Sequence, residues 1–394
     1  IMLNMQSLVL AIEEYTRQRL PRYIGELSEM CSIDSYSYHK PGLDEMASWL
    51  AMRMRSLGVD ATIIEREEWG NDILSVVQGE GEGNVLLVGH TDTVYPVGTA
   101  AARPVRVEGD RLYGPGVSDM KGCLLSAIYA IEAMLALEYR SSFREIRLLC
   151  VSDEEITTRH CLDVMERASL GSHGALILEA ARDNGDIVSA RKGNARYTLS
   201  AHGRSAHAGV EPEKGRNAIL ELAHQILQFQ SLNGWREGVT INPGFFTGGT
   251  MPNVVPDLAQ VQFDIRYLHP QDRIDTEMQW RKIMQHQRVP GVELTLEVEP
   301  DFKGPMVSTV ESLKMVRAVQ DIAGLLGFSV NHVLTGGSSD GSYTSTFDIP
   351  TLDGLGPVGG LDHSPNEYLV ISSVAPRTAL LGGLIASIGT HSFA

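Results

Sequence analysis

Leu86-Leu87-Val88-Gly89-His90-Thr91-Asp92-Thr93-Val94 is an apolar run that ends in a histidine and an aspartate two positions apart. In extended backbone, residues i and i+2 face the same side. Asp92 can therefore hydrogen-bond one ring nitrogen of His90 and leave the other for a metal ion, the usual arrangement behind a metal-bound imidazole. The stretch alone fits a strand-end histidine beside a turn aspartate equally well. Two further apolar runs shift the balance, because Glu145–Val151 leads into Ser152-Asp153-Glu154-Glu155 and residues 174–178 lead into Glu179. Open α/β sheets bind ligands beyond the C-terminal ends of their strands, and here three such ends deliver carboxylate or imidazole.

Around these strands the pattern is helical. Apolar positions at helical spacing (Leu8, Ile12, Tyr15, Leu20, Ile24, Leu27) predict helix over residues 5–30, bent or split at Pro21. A second amphipathic helix is expected over 43–57, closed by Gly58, with strands over 60–65 and 73–78. The turn Gly79-Glu80-Gly81-Glu82-Gly83-Asn84 has glycines at alternate positions, but glutamates fill the gaps and no helix follows, so it reads as a hairpin and not a dinucleotide loop. Leu112-Tyr113-Gly114-Pro115-Gly116-Val117-Ser118-Asp119-Met120-Lys121-Gly122 runs into a long helix from about Lys121 to Tyr139. It lacks the G-K-[ST] of a phosphate loop, and Asp119 would repel phosphate. Asp119 is then either a helix cap or a ligand.

From about Lys192 the apolar residues alternate. Strand, helix, two strands, helix and strand follow over 196–202, 215–232, 238–246, 258–267, 272–287 and 292–298. This βαββαβ order is the ferredoxin-like motif, which predicts an α+β domain inserted over residues 192–303. Residues 1–191 and 304–394 then form one discontinuous α/β domain, a mixed central sheet flanked by helices. Its second segment carries a helix over 313–326, a strand over 329–334, the turn Thr335-Gly336-Gly337-Ser338-Ser339-Asp340-Gly341, a short strand near 351–355, the loop Gly359-Gly360-Leu361-Asp362-His363-Ser364 and a closing helix over 370–388.

Composition narrows the function classes. A chain of 394 residues with 43% hydrophobic and 21% charged residues has the make-up of a globular protein of about two domains. Its net charge of −16 argues against a nucleic-acid or anionic-membrane partner, since either needs a basic face. The four cysteines (Cys31, Cys123, Cys150, Cys161) show no CxxC pairing and are expected to be reduced and structural. No secretory signal is evident, and no apolar stretch is expected to reach the roughly 18 residues of a membrane span. A cytoplasmic location is the expectation.

The strand-end and loop residues His90, Asp92, Asp119, Glu154, Glu155, Glu179 and His363 make one constellation. Five carboxylates in one crevice raise each other's pKa, and burying their charge is costly unless cations neutralise it. Imidazole and carboxylate suit zinc, with cobalt or manganese as alternatives. Asp119, two histidines and two glutamates make two three-ligand sites if one carboxylate bridges, and a pair of divalent ions can activate water and polarise a carbonyl. Of Glu154 and Glu155, one can ligate while the other serves as general base.

Taken together, Gly89-His90-Thr91-Asp92-Thr93-Val94, residues 116–122, Asp153-Glu154-Glu155, Glu179, Ser205-Ala206-His207-Ala208-Gly209 and the late His363 resemble the metallopeptidase family of bacterial glutamate carboxypeptidase, acetylornithine deacetylase, succinyl-diaminopimelate desuccinylase and the aminoacylases. The resemblance implies a zinc-peptidase-like catalytic domain with an inserted lid and dimerisation domain. It implies two zinc ions, one on His90, Asp119 and Glu179 and the other on Asp119, Glu155 and His363. It also implies that Asp92 orients His90, that Glu154 takes the water proton, and that a cis peptide bond joins Asp119 to Met120. His207 from a partner subunit, and Asn253, are implied as substrate contacts in a homodimer. The expected substrate is a small N-acyl amino acid or short peptide cleaved at an amide C–N bond, with deacylase action as the alternative. One departure stands out: Phe302-Lys303-Gly304-Pro305 has glycine where glutamate carboxypeptidases carry an arginine for the substrate carboxylate. Lys303 is not an equivalent donor, so Lys303, Arg191 or Lys192 compensates, or the substrate lacks that carboxylate.

Overall fold

A computed structural model describes residues 4–300 and 302–391, so the outer limits 1 and 394 of the expected catalytic domain lie outside it. The chain forms two compact units. One comprises the described chain up to Ala190, Ser308–Leu334 and the described chain from Ser339 onward; the other comprises Arg191–Val307 and Thr335–Ser338. The second unit thus extends beyond the expected 192–303. Arg191 N–H donates to the Met306 carbonyl (3.0 Å) and Lys192 N–H to that of Thr335 (3.0 Å), which ties these outlying residues to it.

The first unit is built on a mixed six-stranded sheet. Its strands are β1 (Asp60–Ile64), β2 (Asp72–Gln78), β3 (Asn84–His90), β4 (Glu145–Val151) and β5 (Gly174–Ile177), with Thr351–Leu352 at one edge, in the order β1-β2-β4-β3-β5-(Thr351–Leu352). β3, β4, β5 and the edge strand run parallel, while β1 and β2 are antiparallel. The continuous apolar runs of the parallel strands have a simple cause: successive side chains enter different cores. Val85 and Leu87 join Ile146, Leu148 and Leu176 in the larger core. Leu86 and Val88 join Leu149, Val151, Ala175 and Ile177 in the smaller one, under helix Leu162–Ser169.

The larger core is covered by helices Met5–Gln18, Leu20–Ser32, Lys40–Arg55, Lys121–Ala136, Val310–Leu325 and Ile371–Gly389. Pro21 splits the first two, sitting in the opening turn of the second, where its missing N–H is not needed. Ile371–Gly389 corrects an expectation. At 19 residues it is long and apolar enough to cross a bilayer, but 78% of its apolar window is buried in the fold, which accounts for its composition. It meets the first helix at glycines: a Cβ on Gly382 would lie 2.6 Å from Ile12 Cδ1, and one on Gly383 2.6 Å from Val9 Cγ1. All four cysteines are free and buried.

A second, small antiparallel sheet was not expected. It orders Gly359–Gly360, Tyr368–Val370, Arg111–Tyr113 and Arg106–Glu108. Its hairpin carries His363, and Arg111–Tyr113 leads directly into the Asp119 loop.

The second unit has strands β6 (Gly193–His202), β7 (Thr240–Gly248), β8 (Leu258–Tyr267) and β9 (Glu293–Val298) in the all-antiparallel order β7-β8-β6-β9, with helices Ala218–Gln230 and Pro270–Ile283. This is the ferredoxin-like arrangement. An aromatic cluster holds it: Phe229 stacks on Trp280 at 4.6 Å, and Tyr197 meets Trp280 edge-on at 5.2 Å.

Candidate metal centre

Sheet register assembles the site. His90 pairs with Val151, so the turn after β4 starts beside the end of β3, and Thr91 N–H donates to the Val151 carbonyl (2.8 Å). On the other side Val88 pairs with Ile177, and Leu178 N–H donates to the Val88 carbonyl (2.9 Å), setting Glu179 next to His90.

Asp92 is fully buried and holds two of these elements together. Its Oδ1 accepts from Glu154 N–H (3.1 Å), and its Oδ2 accepts from Glu155 N–H (3.2 Å) and the Ser37 hydroxyl (2.7 Å). His90 Nδ1 lies 3.2 Å from Asp92 Oδ1 and 3.0 Å from its main-chain carbonyl. Two acceptors on that side favour a proton on Nδ1, so Nε2 is the nitrogen turned towards the site. Nε2 in turn lies 3.0 Å from Asp119 Oδ1 and 3.9 Å from Glu179 Oε1. His363 Nε2 lies 3.1 Å from Asp119 Oδ2 and 3.1 Å from Glu155 Oε2. Asp119 thus offers one oxygen towards each imidazole. Ligand atoms of His90, Asp119 and Glu155 all fall within 4.8 Å of one another.

The acids and imidazoles perturb each other strongly. Burial pushes Glu155 up to about 7, with the Asp119 charge adding to it. Burial likewise lifts Glu179 well above the carboxylate range, and Asp119 and Glu154 push the same way. Burial opposes ionisation of Asp119 too, but hydrogen bonds from His363 and His90 outweigh it and hold Asp119 below its usual range. The hydrogen bonds to Asp119 and Glu155 raise His363 to about 11. His363, at 53% side-chain exposure, is the open side of the set, against 1% for His90, 8% for Glu155, 15% for Asp119 and 18% for Glu179. The donors are two imidazoles and three carboxylates, a set that fits a borderline or hard divalent cation. Opposed shifts among crowded acids are relieved by added positive charge.

A model of peptidase family M20/M25/M40 matches residues 86–387. The chain belongs to this family. Its carboxypeptidases and deacylases are metal-dependent hydrolases of peptides and N-acyl amino acids. The M20 chain is 26% identical to carboxypeptidase G2 of Pseudomonas sp. (strain RS-16), covering 94% of this chain and 90% of that one. It is 27% identical to acetylornithine deacetylase of Pasteurella multocida (strain Pm70), covering 95% and 100%. The fold is similar to that of aminopeptidase PepT from Bacillus cereus ATCC 10987, with a TM-score of 0.82 at 21% identity, covering 94% and 98%.

In this M20 chain the first unit brings together His90, Asp92, Asp119, Glu154, Glu155, Glu179 and His363, and the Asp119–Met120 peptide bond is cis. The remaining candidates lie in the second unit. His207 and Asn253 are exposed neighbours: His207 bridges to Val254, and Ala208 N–H donates to the Asn253 carbonyl (3.0 Å). Arg191 and Lys303 are buried there. Arg191 Nη1 donates to the Gly337 carbonyl (3.1 Å), and the Lys303 carbonyl accepts from Asn194 N–H (2.9 Å).

Three residues around the centre were not anticipated. Ser37 braces Asp92, while Glu367 and Tyr95 brace the Asp119 loop. A buried acid beside Tyr368 and Leu369 was the available signal for Glu367. Its neighbours Ser364, Pro365 and Asn366 are turn formers and disguised it as surface loop.

Proposed function

We propose that this chain is a two-zinc amidohydrolase that cleaves the amide or peptide C–N bond of a small N-acyl amino acid or short peptide, in the manner of a glutamate carboxypeptidase. The observation that carries it is the position of Asp119, one oxygen 3.0 Å from His90 Nε2 and the other 3.1 Å from His363 Nε2, with Glu179 and Glu155 on the respective sides. In this reading His90, Asp119 and Glu179 hold one ion, and Asp119, Glu155 and His363 hold the other. Divalent ions bound there supply Lewis acidity and lower the pKa of water. Cobalt or manganese would suit the same donors.

Asp92 keeps the His90 ring turned and the Glu154–Glu155 turn in place. The Glu154 carboxylate accepts a proton from the attacking water and returns it to the leaving nitrogen. His207 and Asn253 contact the substrate, with Arg191 and Lys303 as its cationic neighbours. A homodimer through the second unit fits its edge strand β7, where Phe245 and Phe246 are 57% and 44% exposed. A cytoplasmic location belongs to the same proposal, and the four free thiols suit a reducing compartment.

Gly304 favours a second reading, a deacylase of the aminoacylase kind. The residue expected to grip a substrate carboxylate is absent, and the space around Gly304 is open. Metal analysis and a panel of N-acyl amino acids and dipeptides, run on the parent and on Glu154→Gln, test these readings. The variant is expected to keep its metal and lose turnover by about 10²- to 10⁴-fold. Near-normal rates would remove Glu154 as base, and a metal-loaded parent inert on the whole panel would overturn the hydrolase reading.

A further inference from the structure

Glu367 is 1% exposed, yet the mechanism above gives it no task. Its carboxylate faces four donors. Oε1 accepts from the N–H groups of Ser118 (2.8 Å) and Asp119 (3.0 Å), and Oε2 accepts from Gly116 N–H (3.0 Å) and the Tyr95 hydroxyl (2.6 Å). Burying a carboxylate is unfavourable unless hydrogen bonds replace its water. Here the replacement comes from the main chain of one loop and from one phenol.

Those donors belong to the segments that carry the ligand candidates. Tyr95 follows His90 and Asp92 on one segment. Gly116 to Asp119 is the loop of the central carboxylate. Glu367 closes the His363 loop, where its own N–H donates to the Ser364 carbonyl (3.3 Å) and the Tyr95 hydroxyl oxygen lies 2.9 Å from the same carbonyl oxygen. One side chain therefore joins three stretches that are remote in sequence.

We infer that Glu367 is a positioning residue for the metal centre: by gathering the N–H groups of Gly116, Ser118 and Asp119 it fixes the direction in which Asp119 presents its two oxygens to His90 and His363. The inference rests on the metal-centre reading above. Supporting partners of metal ligands typically change metal affinity or activity by about 10- to 100-fold when altered, and Glu367 acts on the one ligand assigned to both ions.

The test is a zinc titration of the chelator-stripped full chain and of Glu367→Gln, with thermal unfolding of both and steady-state rates after reloading. Glutamine keeps the shape and one acceptor oxygen for Ser118 and Asp119. It also sets an amide NH2 against Gly116 N–H and the Tyr95 hydroxyl. The expected result is zinc affinity weaker by about 10- to 100-fold with kcat lowered and KM nearly unchanged, in a protein that still unfolds cooperatively. Zinc affinity equal to the parent's would overturn the inference. Should Glu367→Gln not fold, Tyr95→Phe decides, since it deletes one donor and leaves the carboxylate: weaker zinc binding upholds the inference and unchanged binding overturns it. A parent that takes up no zinc would defeat the metal-centre reading itself, and this inference with it.

Discussion

Replacing Asp92 by asparagine tests how far one buried carboxylate holds the site together. Asp92 accepts from Glu154 N–H, Glu155 N–H and Ser37 Oγ, and lies 3.2 Å from His90 Nδ1. The better asparagine orientation keeps its carbonyl oxygen at the Oδ1 position, facing Glu154 N–H and His90. Its amide nitrogen then takes the Oδ2 position. The Ser37 hydroxyl can rotate to accept from that nitrogen, but Glu155 N–H cannot, so one buried donor loses its partner. That loss is worth about 1–3 kcal/mol, and the remaining bonds weaken from charged to neutral strength, giving a total of about 2–4 kcal/mol. At 2–4 °C per kcal/mol for a unit of this size, the melting temperature should fall by roughly 4–16 °C. Calorimetry on the chelated protein measures this, with Asp92→Ala as the harsher comparison because it strands every donor. Zinc affinity should fall by about 10- to 100-fold in parallel. An asparagine variant that melts with the parent and binds zinc equally well would refute the bracing role of Asp92.

Two other outcomes follow from particular contacts. His207→Ala should lower kcat while leaving the metal content unchanged, measured by elemental analysis beside steady-state kinetics; unaltered kinetics would take His207 out of the substrate site. Glu132 is buried among Arg53, Arg22 and Tyr15, and although burial raises its pKa, the hydrogen bond and charge of Arg53 hold it below its ordinary value. Its contribution to stability is therefore full above the unfolded value of 4.5 and is lost as pH falls through the lower folded value. Denaturation curves of Glu132→Gln should lie below the parent at neutral pH and converge with it in acid, and a constant gap across that range would contradict the assignment.

The parallel strands were legible because both of their faces are apolar and their ends break abruptly into acids at Asp153-Glu154-Glu155 and Glu179. The second unit was legible because its period changes from continuous runs to alternation at Arg196 to His202. The small sheet was not. Strands of two or three residues such as Gly359–Gly360 and Arg111–Tyr113 are too short for any period to emerge, and they pair across the length of the chain. That sheet carries His363 to Asp119 over a separation of 244 residues, so the candidate histidine was identifiable from its motif while the structure delivering it was not. Helix Ile371–Gly389 was visible as a helix, but Ser372, Ser373, Arg377 and Thr378 broke its apolar run on paper. In the fold Arg377 is buried, donating to the carbonyls of Gly356, Gly185 and Gly354.

The contact of Met5–Gln18 with Ile371–Gly389 through Gly382 and Gly383 bears on how the protein is made. Met5–Gln18 leaves the ribosome long before its partner Ile371–Gly389, so Val9 and Ile12 stay without these neighbours until Gly382 and Gly383 have been translated. The ferredoxin-like unit has its own aromatic core and lacks only Thr335–Ser338 once Val307 is translated. Completion of the first unit is thereby deferred until Ile371–Gly389 has been made. A ribosome stalled before His363 holds a chain in which the acids have been made but the second imidazole and the closing helix have not.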